Sequence, residues 1–340
     1  MEGINWKGKS DIRSATVRGY LVAAVGLFLK RGFDSPINLE DKNEDALVLI
    51  HNREREETIA KQRKPLDTLI FAELILQGKE EGATDIWLVS KVTSLGRVIG
   101  PRAGEYSQKT QYKVEVHEYP SGKKEIKALT RNDFIFLDKS GRRISTFNSN
   151  TRARVARVRI KFRIQKNRQN GQEITAVCDR DNPDICPVLA AFDLYMHSIE
   201  IEQPDDLPLV AMLDDKRKIK YLTYSKVASV LRKIAKKVHP DWSQEEINKI
   251  SAHSIRVWAC VLLDEAGKLP SFIKSRLRWL GESYRTYLRD TAVINEQHNE
   301  ALKKTSDEVL ALLLGNLDDS LLPAEVEEDE DMGEYIDSDE

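Results

Sequence analysis

Between residues 14 and 33 apolar side chains recur every three or four positions. Val17, Tyr20, Leu21, Ala24, Leu27 and Phe28 fall on one face of a predicted helix that Gly32 stops. From about residue 34 to 64 a short apolar segment gives way to a strongly charged one, which predicts a second helix or a linker leading to Pro65. Helical periodicity resumes after Leu66 in DTLIFAELILQGKEEG, with Gly82 as its stop, and WLVSKVTSLGRVIG continues it to Gly100.

Past Gly100 the period shifts towards two. TQYKVEVHEYP and KKEIKALTRNDFIFLD read as strands about a PSGK turn, and ARVRIKFRIQK is the clearest strand in the chain. In it Arg157, Arg159, Lys161 and Arg163 alternate with Val158, Ile160, Phe162 and Ile164, so one face is cationic and the other apolar. RQNGQ is the expected hairpin turn and EITAVCD the returning strand. After Pro183 and Pro187 the pattern is helical again through VLAAFDLYMHSI, LTYSKVASVLRKIAKKV and SQEEINKI, the last with Ser243 and Glu246 in capping-box register. The stretch from 251 to 291 follows, also helical, and a helix with apolar Leu302, Val309, Leu310 and Leu313 is expected from 296 to 314. The expected fold is therefore α+β, mainly helical, with a small sheet. It divides into a helical N-terminal region at 1–60, a larger domain at 61–315 and an acidic tail at 316–340 that reads as disordered.

Composition narrows the function classes. Hydrophobic residues make up 41% and charged residues 32%, and no run of about eighteen apolar residues is present to span a bilayer. The first residues, MEGINWKGKSDIR, lack the apolar core of a secretory signal, so an intracellular protein is expected. Cys178, Cys186 and Cys260 form no CxxC pair, which favours structural thiols in a reducing compartment over a zinc site. The net charge of −2 hides an asymmetry, because residues 317 to 340 hold twelve acidic residues and no Lys or Arg, leaving a body at +10. A cationic body with an acidic tail suits a polyanion binder; a tail that only aids solubility is the plainer alternative. Phosphate-loop, dinucleotide-fold, zinc-protease and serine-hydrolase signatures are all missing, and the six histidines are scattered.

What stands out is a spacing. His253 and Arg256 are three residues apart, and Trp279 and Tyr287 follow within the same stretch. A guanidinium is permanently charged and forks onto phosphate oxygens, an imidazole handles protons near neutrality, and a phenol is a latent nucleophile that needs cations around it. Taken alone, HSIR is also compatible with a surface arginine beside a structural histidine.

The run HSIR, then DEAG, then RWLGESYRTYLR resembles the carboxy-terminal signature of the tyrosine recombinases, or phage integrases, with eight residues from Trp279 to Tyr287. The TYLR ending is most similar to the DIRS-type branch of eukaryotic mobile elements. PRAGEY supplies an arginine in an RxxE context, Arg102 with Glu105, and IQKNRQNG supplies Lys166 at a hairpin turn, in the family's order. Asp133 matches an acidic position in the strand that follows, although about thirty residues intervene between the two motifs, more than in compact bacterial members. The resemblance covers about residues 63 to 295, with the first sixty only loosely like the family's all-helical core-binding domain.

This resemblance implies a tyrosine-recombinase catalytic domain acting on double-stranded DNA through a 3'-phosphotyrosyl intermediate, with no metal, nucleotide or other cofactor. Tyr287 is the implied nucleophile and Tyr284 the second choice. Arg102 and Arg256 are the implied phosphate clamps, Lys166 the acid for the leaving oxygen, His253 a proton-transfer aid and Trp279 a packing and hydrogen-bonding group. Arg157, Arg159, Lys161 and Arg163 either hold DNA phosphates or form a solvated strand face. The family acts as a tetramer on DNA, and the eukaryotic likeness favours the nucleus. A catalytically idle DNA-binding protein and a type IB topoisomerase-like enzyme are the alternatives.

Overall fold

The computed structural model describes residues 14–41, 44–56, 63–165 and 170–288. The chain divides into two units, Met1–Gln62 and Arg63–Glu340.

The first unit holds two helices packed on each other, α1 (Ser14–Lys30) and α2 (Asp45–Glu56). Gly32 takes a left-handed φ of 77° just beyond α1, the conformation expected of a helix-stopping glycine. The buried stripe of α1 is not the expected one. Val25 is buried with Val17 and Leu21 half-covered, whereas Tyr20, Leu27 and Phe28 are exposed. Several faces of this helix are apolar, so periodicity alone does not select the one that packs.

The second unit opens with α3 (Thr68–Glu80) and α4 (Asp85–Ile99), the latter a long buried helix packed by α3 and by three helices that come later in the chain. Short α5 (Ala103–Tyr106) follows, then a hairpin of β1 (Val116–Glu118) and β2 (Lys124–Ile126). β3 (Phe134–Leu137), α6 (Ser149–Arg154), β4 (Arg157–Phe162) and β5 (Gln172–Val177) come next. The three strands form an antiparallel sheet in the order β3-β4-β5, with Phe134 opposite Ile160 and Ile160 opposite Ile174. Phe134, Phe136, Val158, Ile160, Phe162, Ile174 and Ala176 line its buried face, on which α7 (Pro187–Glu200) packs.

A further hairpin, β6 (Ala211–Leu213) and β7 (Ile219–Tyr221), was not legible in the sequence; its strands are three residues each, and the DDKRK turn between them has no Gly or Pro to mark it as PSGK marks the turn between β1 and β2. Then come α8 (Tyr224–Val238), with Val227, Val230, Leu231 and Ile234 buried at helical spacing, and α9 (Gln244–Lys249), with its Ser243–Glu246 capping box formed. α10 (Ser254–Glu265) and α11 (Pro270–Arg276) complete the helices, and 3-10 turns span Glu282–Tyr287. The chain is a mainly helical α+β protein, and none of the described helices is long and apolar enough to cross a membrane.

The alternation in β4 is realised, with Arg157 and Lys161 exposed. Arg163 has a different fate from the one expected of a DNA contact. Its Nε and Nη2 donate to the buried carboxylate of Asp133 at 2.6 and 3.0 Å, and Nη2 also reaches the Ala128 carbonyl. Asp133 further accepts from the Thr130 backbone N–H, so one carboxylate closes the turn before β3 and ties it to β4. Asp133→Ala leaves that guanidinium without its partner and is expected to cost about 3 to 5 kcal/mol in urea unfolding. The expected helix at 296–314, the acidic tail and Lys166 lie outside the described residues.

Candidate active site

Gly100 ends α4 in the left-handed region at φ 49°, and Pro101 follows, so the chain turns sharply and delivers Arg102 to the N-cap of α5. There the Arg102 backbone N–H donates to Glu105 Oε2 at 2.8 Å. Its Nη1 donates to Glu105 Oε1 at 3.3 Å and to Gln165 Oε1 at 2.6 Å. The helix that carries Arg256 passes very close to α4: a Cβ at Gly96 would overlap Ile255, and one at Gly100 would lie 2.6 Å from Leu277 Cδ2. Glycine at 96 lets α10 pack against α4, and glycine at 100 leaves room for Leu277 at the end of α11.

His253 is the N-cap of α10 and Arg256 lies in its first turn. Arg256 is buried; Nη1 donates to the Gly100 carbonyl and Nη2 to that of Leu277 at 2.6 Å, while its plane lies 4.4 Å from the Trp279 ring centre. Two of its five N–H groups are thereby spent on orientation. Tyr106, on α5, donates its buried hydroxyl to the Ala252 carbonyl at 2.6 Å and so anchors the backbone just before His253.

The 3-10 turns separate the two tyrosines. Tyr284 is 1% exposed, in an apolar cluster with Ala259, Cys260, Ile273, Leu277 and Leu288. Tyr287 is only half-buried, its hydroxyl lies 2.9 Å from His253 Nε2, and its ring is 5.7 Å from that of Trp279. Arg102, His253, Arg256, Trp279 and Tyr287 are thus gathered at the junction of α4, α5, α10 and the final turns.

One member of this cluster was not singled out in the sequence. Arg278 is fully buried, donates from Nη2 to Glu105 Oε2 and from Nη1 to the Ile99 carbonyl, both at 2.8 Å, and lies 3.5 Å from the ring centre of Phe162. A cation in the run LRWL, between two large apolar residues, is the only local signal of it. Gln165 and Tyr106 left no such signal.

The electrostatics follow from three guanidiniums around one carboxylate. Burial, then repulsion from Arg102 and Arg278, holds the Arg256 guanidinium down to about 9, still cationic at neutral pH. Burial, then Arg256, Arg63 and Arg102, pushes His253 down to about 4, so in the absence of a bound anion its imidazole is neutral and a weaker base than free imidazole. Burial raises the Tyr287 phenol, and Arg256 opposes that rise. Because His253 binds its proton less readily folded than unfolded, its contribution to stability is lost as pH falls from 6.5 towards about 4. That loss is on the order of 1 to 3 kcal/mol. His253→Asn is expected to flatten this part of the stability–pH curve, read as the difference between wild-type and variant melting temperatures across that window.

Among the described residues no group of three or more His, Cys, Asp or Glu is placed to hold a metal ion. The three cysteines are free, Cys178 and Cys186 with sulfurs 3.6 Å apart.

No protein-family model and no curated protein sequence matches this chain. Among solved structures it is similar to the crystal structure of XerA recombinase, at 11% identity over 85% of this chain and 83% of that one, with a TM-score of 0.37. It is also similar to a lambda integrase fragment solved as a dimer bound to a COC' core site, at 12% identity over 84% of each chain, with a TM-score of 0.35.

Proposed function

We propose that the protein is a tyrosine recombinase that cuts and rejoins double-stranded DNA through a 3'-phosphotyrosyl intermediate. The observation that carries this reading is the placement of the Tyr287 hydroxyl, 2.9 Å from a neutral His253, beside a cluster of guanidiniums whose charge is not balanced by local carboxylates. An excess of buried positive charge is stabilised by an anion, and a phosphodiester is the anion that a phenolate attacks usefully.

In the proposed step the Tyr287 oxygen bonds to phosphorus while the bond from phosphorus to the 5'-oxygen breaks. The bound phosphate offsets the guanidiniums that help to hold His253 down, and with its basicity so raised Nε2 takes the phenolic proton, while Lys166 protonates the departing 5'-oxygen. Arg102 and Arg256 bind the non-bridging oxygens, on which charge builds in the pentavalent transition state, using N–H groups not spent on Glu105, Gln165, Gly100, Leu277 and the Arg278 carbonyl. Trp279 acts as a platform for Arg256 and Tyr287; its indole N–H is buried without a partner. The reverse step rejoins DNA when a 5'-hydroxyl from a partner strand attacks the phosphotyrosyl bond, and bond exchange needs no external energy. Arg157 and Lys161 on β4 are the exposed strand cations that hold the DNA backbone, with Arg159, half-exposed and 3.7 Å from Glu173, a weaker contributor. Assembly as a tetramer on DNA, origin in a DIRS-type mobile element and action in the nucleus complete the reading.

The test is a randomised library of nicked duplexes in which cleavage loses the short downstream fragment and traps the enzyme. A protein–DNA adduct resistant to denaturant is expected, and the trapped sequences define the site. A gel shift with no adduct from wild-type protein points instead to an idle DNA-binding protein, and relaxation of supercoiled plasmid without strand exchange points to a topoisomerase.

A further inference from the structure

Three residues among those described take a positive φ without being glycine: Glu202, Arg217 and Arg278. The first two sit on exposed turns. Arg278, at φ 59°, is fully buried, and a bulky side chain held in the left-handed region inside a core is strained unless its surroundings demand it. Those surroundings are explicit here. The left-handed turn lets two successive side chains serve the same site from opposite directions: Trp279 lies against Arg256, and Arg278 runs back to Glu105, the Ile99 carbonyl and the Phe162 ring. The Arg278 carbonyl in turn accepts from Arg102 Nη2 at 3.4 Å.

Glu105 raises a difficulty that Arg278 resolves. Its carboxylate is buried and bonded to Arg102 through both oxygens, and a one-to-one ion pair would cancel much of the charge with which Arg102 attracts an anion. With Arg278 Nη2 at 2.8 Å the carboxylate is shared between two guanidiniums, so Arg102 is held in place without being neutralised. Arg278 is itself closed to solvent and to DNA, so it acts only through its neighbours.

We infer that Arg278 is a positioning residue for phosphoryl transfer, offsetting the charge of Glu105 so that Arg102 keeps its cationic charge for the scissile phosphate. This rests on the recombinase reading above and adds to it a residue that never touches the substrate. The role is electrostatic and so should depend on the charge of the reacting phosphate. A structural role should not.

The experiment uses the full chain and a nicked duplex of the trapped sequence, made with either a normal scissile phosphate or a methylphosphonate, which replaces a non-bridging oxygen by methyl and removes its charge. Arg278→Gly suits the left-handed backbone and removes the guanidinium. It is expected to slow adduct formation ~100-fold on the phosphate while gel-shift affinity stays within ~3-fold, and to lose at least ~10-fold of that defect on the methylphosphonate. A defect of equal size on both substrates, or one confined to affinity, overturns the inference and leaves the recombinase reading standing. Absence of any adduct from the wild type overturns both. If melting curves show that Arg278→Gly is unfolded, Arg278→Gln decides, since it keeps an amide N–H donor for Glu105 but carries no charge. A slowed rate that is relieved on the methylphosphonate supports the inference, and a wild-type rate or an equal loss on both substrates overturns it.

Discussion

Replacing Tyr287 by Phe is expected to abolish the covalent adduct, lowering its rate of formation by ~10⁴-fold or more, while DNA binding in a gel shift is retained. The substitution removes one oxygen from a half-buried ring that keeps its contacts with Trp279 and His253, so folding should change little. The paired result concerns Tyr284, one turn earlier. Tyr284→Phe is expected to leave the adduct within ~10-fold of wild type, because its ring is closed inside the cluster with Cys260, Ile273 and Leu277 and its hydroxyl has no path to a phosphate. Tyr284→Ala should instead cost stability, about 3 to 5 kcal/mol by chemical denaturation. If Tyr287→Phe keeps the adduct and Tyr284→Phe loses it, the nucleophile has been assigned to the wrong residue.

The second large effect is expected at Arg256. Arg256→Ala should slow adduct formation by about 10²- to 10³-fold, the scale on which one preorganised donor to a developing oxyanion contributes. It also deprives the Gly100 and Leu277 carbonyls of their donors, at about 1 to 3 kcal/mol for each buried group left unpaired. Arg256→Lys should recover little of the rate. An ammonium is a point charge without the planar fork that donates to two carbonyls at once while its carbon sits 4.4 Å from the Trp279 ring centre. A lysine variant with near wild-type adduct formation would show that charge alone matters at this position and that the fork does not.

Most of the secondary structure was readable because its signals are local. The stops at Gly32 and Gly82, the alternation of β4 with its hairpin return, the capping box of α9 and the amphipathic face of α8 are each set by a few neighbouring residues. Where the local signal was weak, reading failed: the three-residue strands β6 and β7 went unseen, and an all-round apolar α1 did not disclose its packed side.

The sequence by itself determined which chemical types are available, through the spacing of His253, Arg256, Trp279 and Tyr287 and the Gly-Pro-Arg turn that ends α4. Only the tertiary structure decided how those types are used. It buried Tyr284 and left Tyr287 against a neutral imidazole, and it committed Arg163 to Asp133 while leaving Arg157 and Lys161 in solvent. It also brought Arg278 to a carboxylate 173 residues away. The physical reason is that burial, ion pairing and proton affinity are properties of space, fixed by segments far apart in the chain, whereas helical and strand periodicity are properties of neighbours.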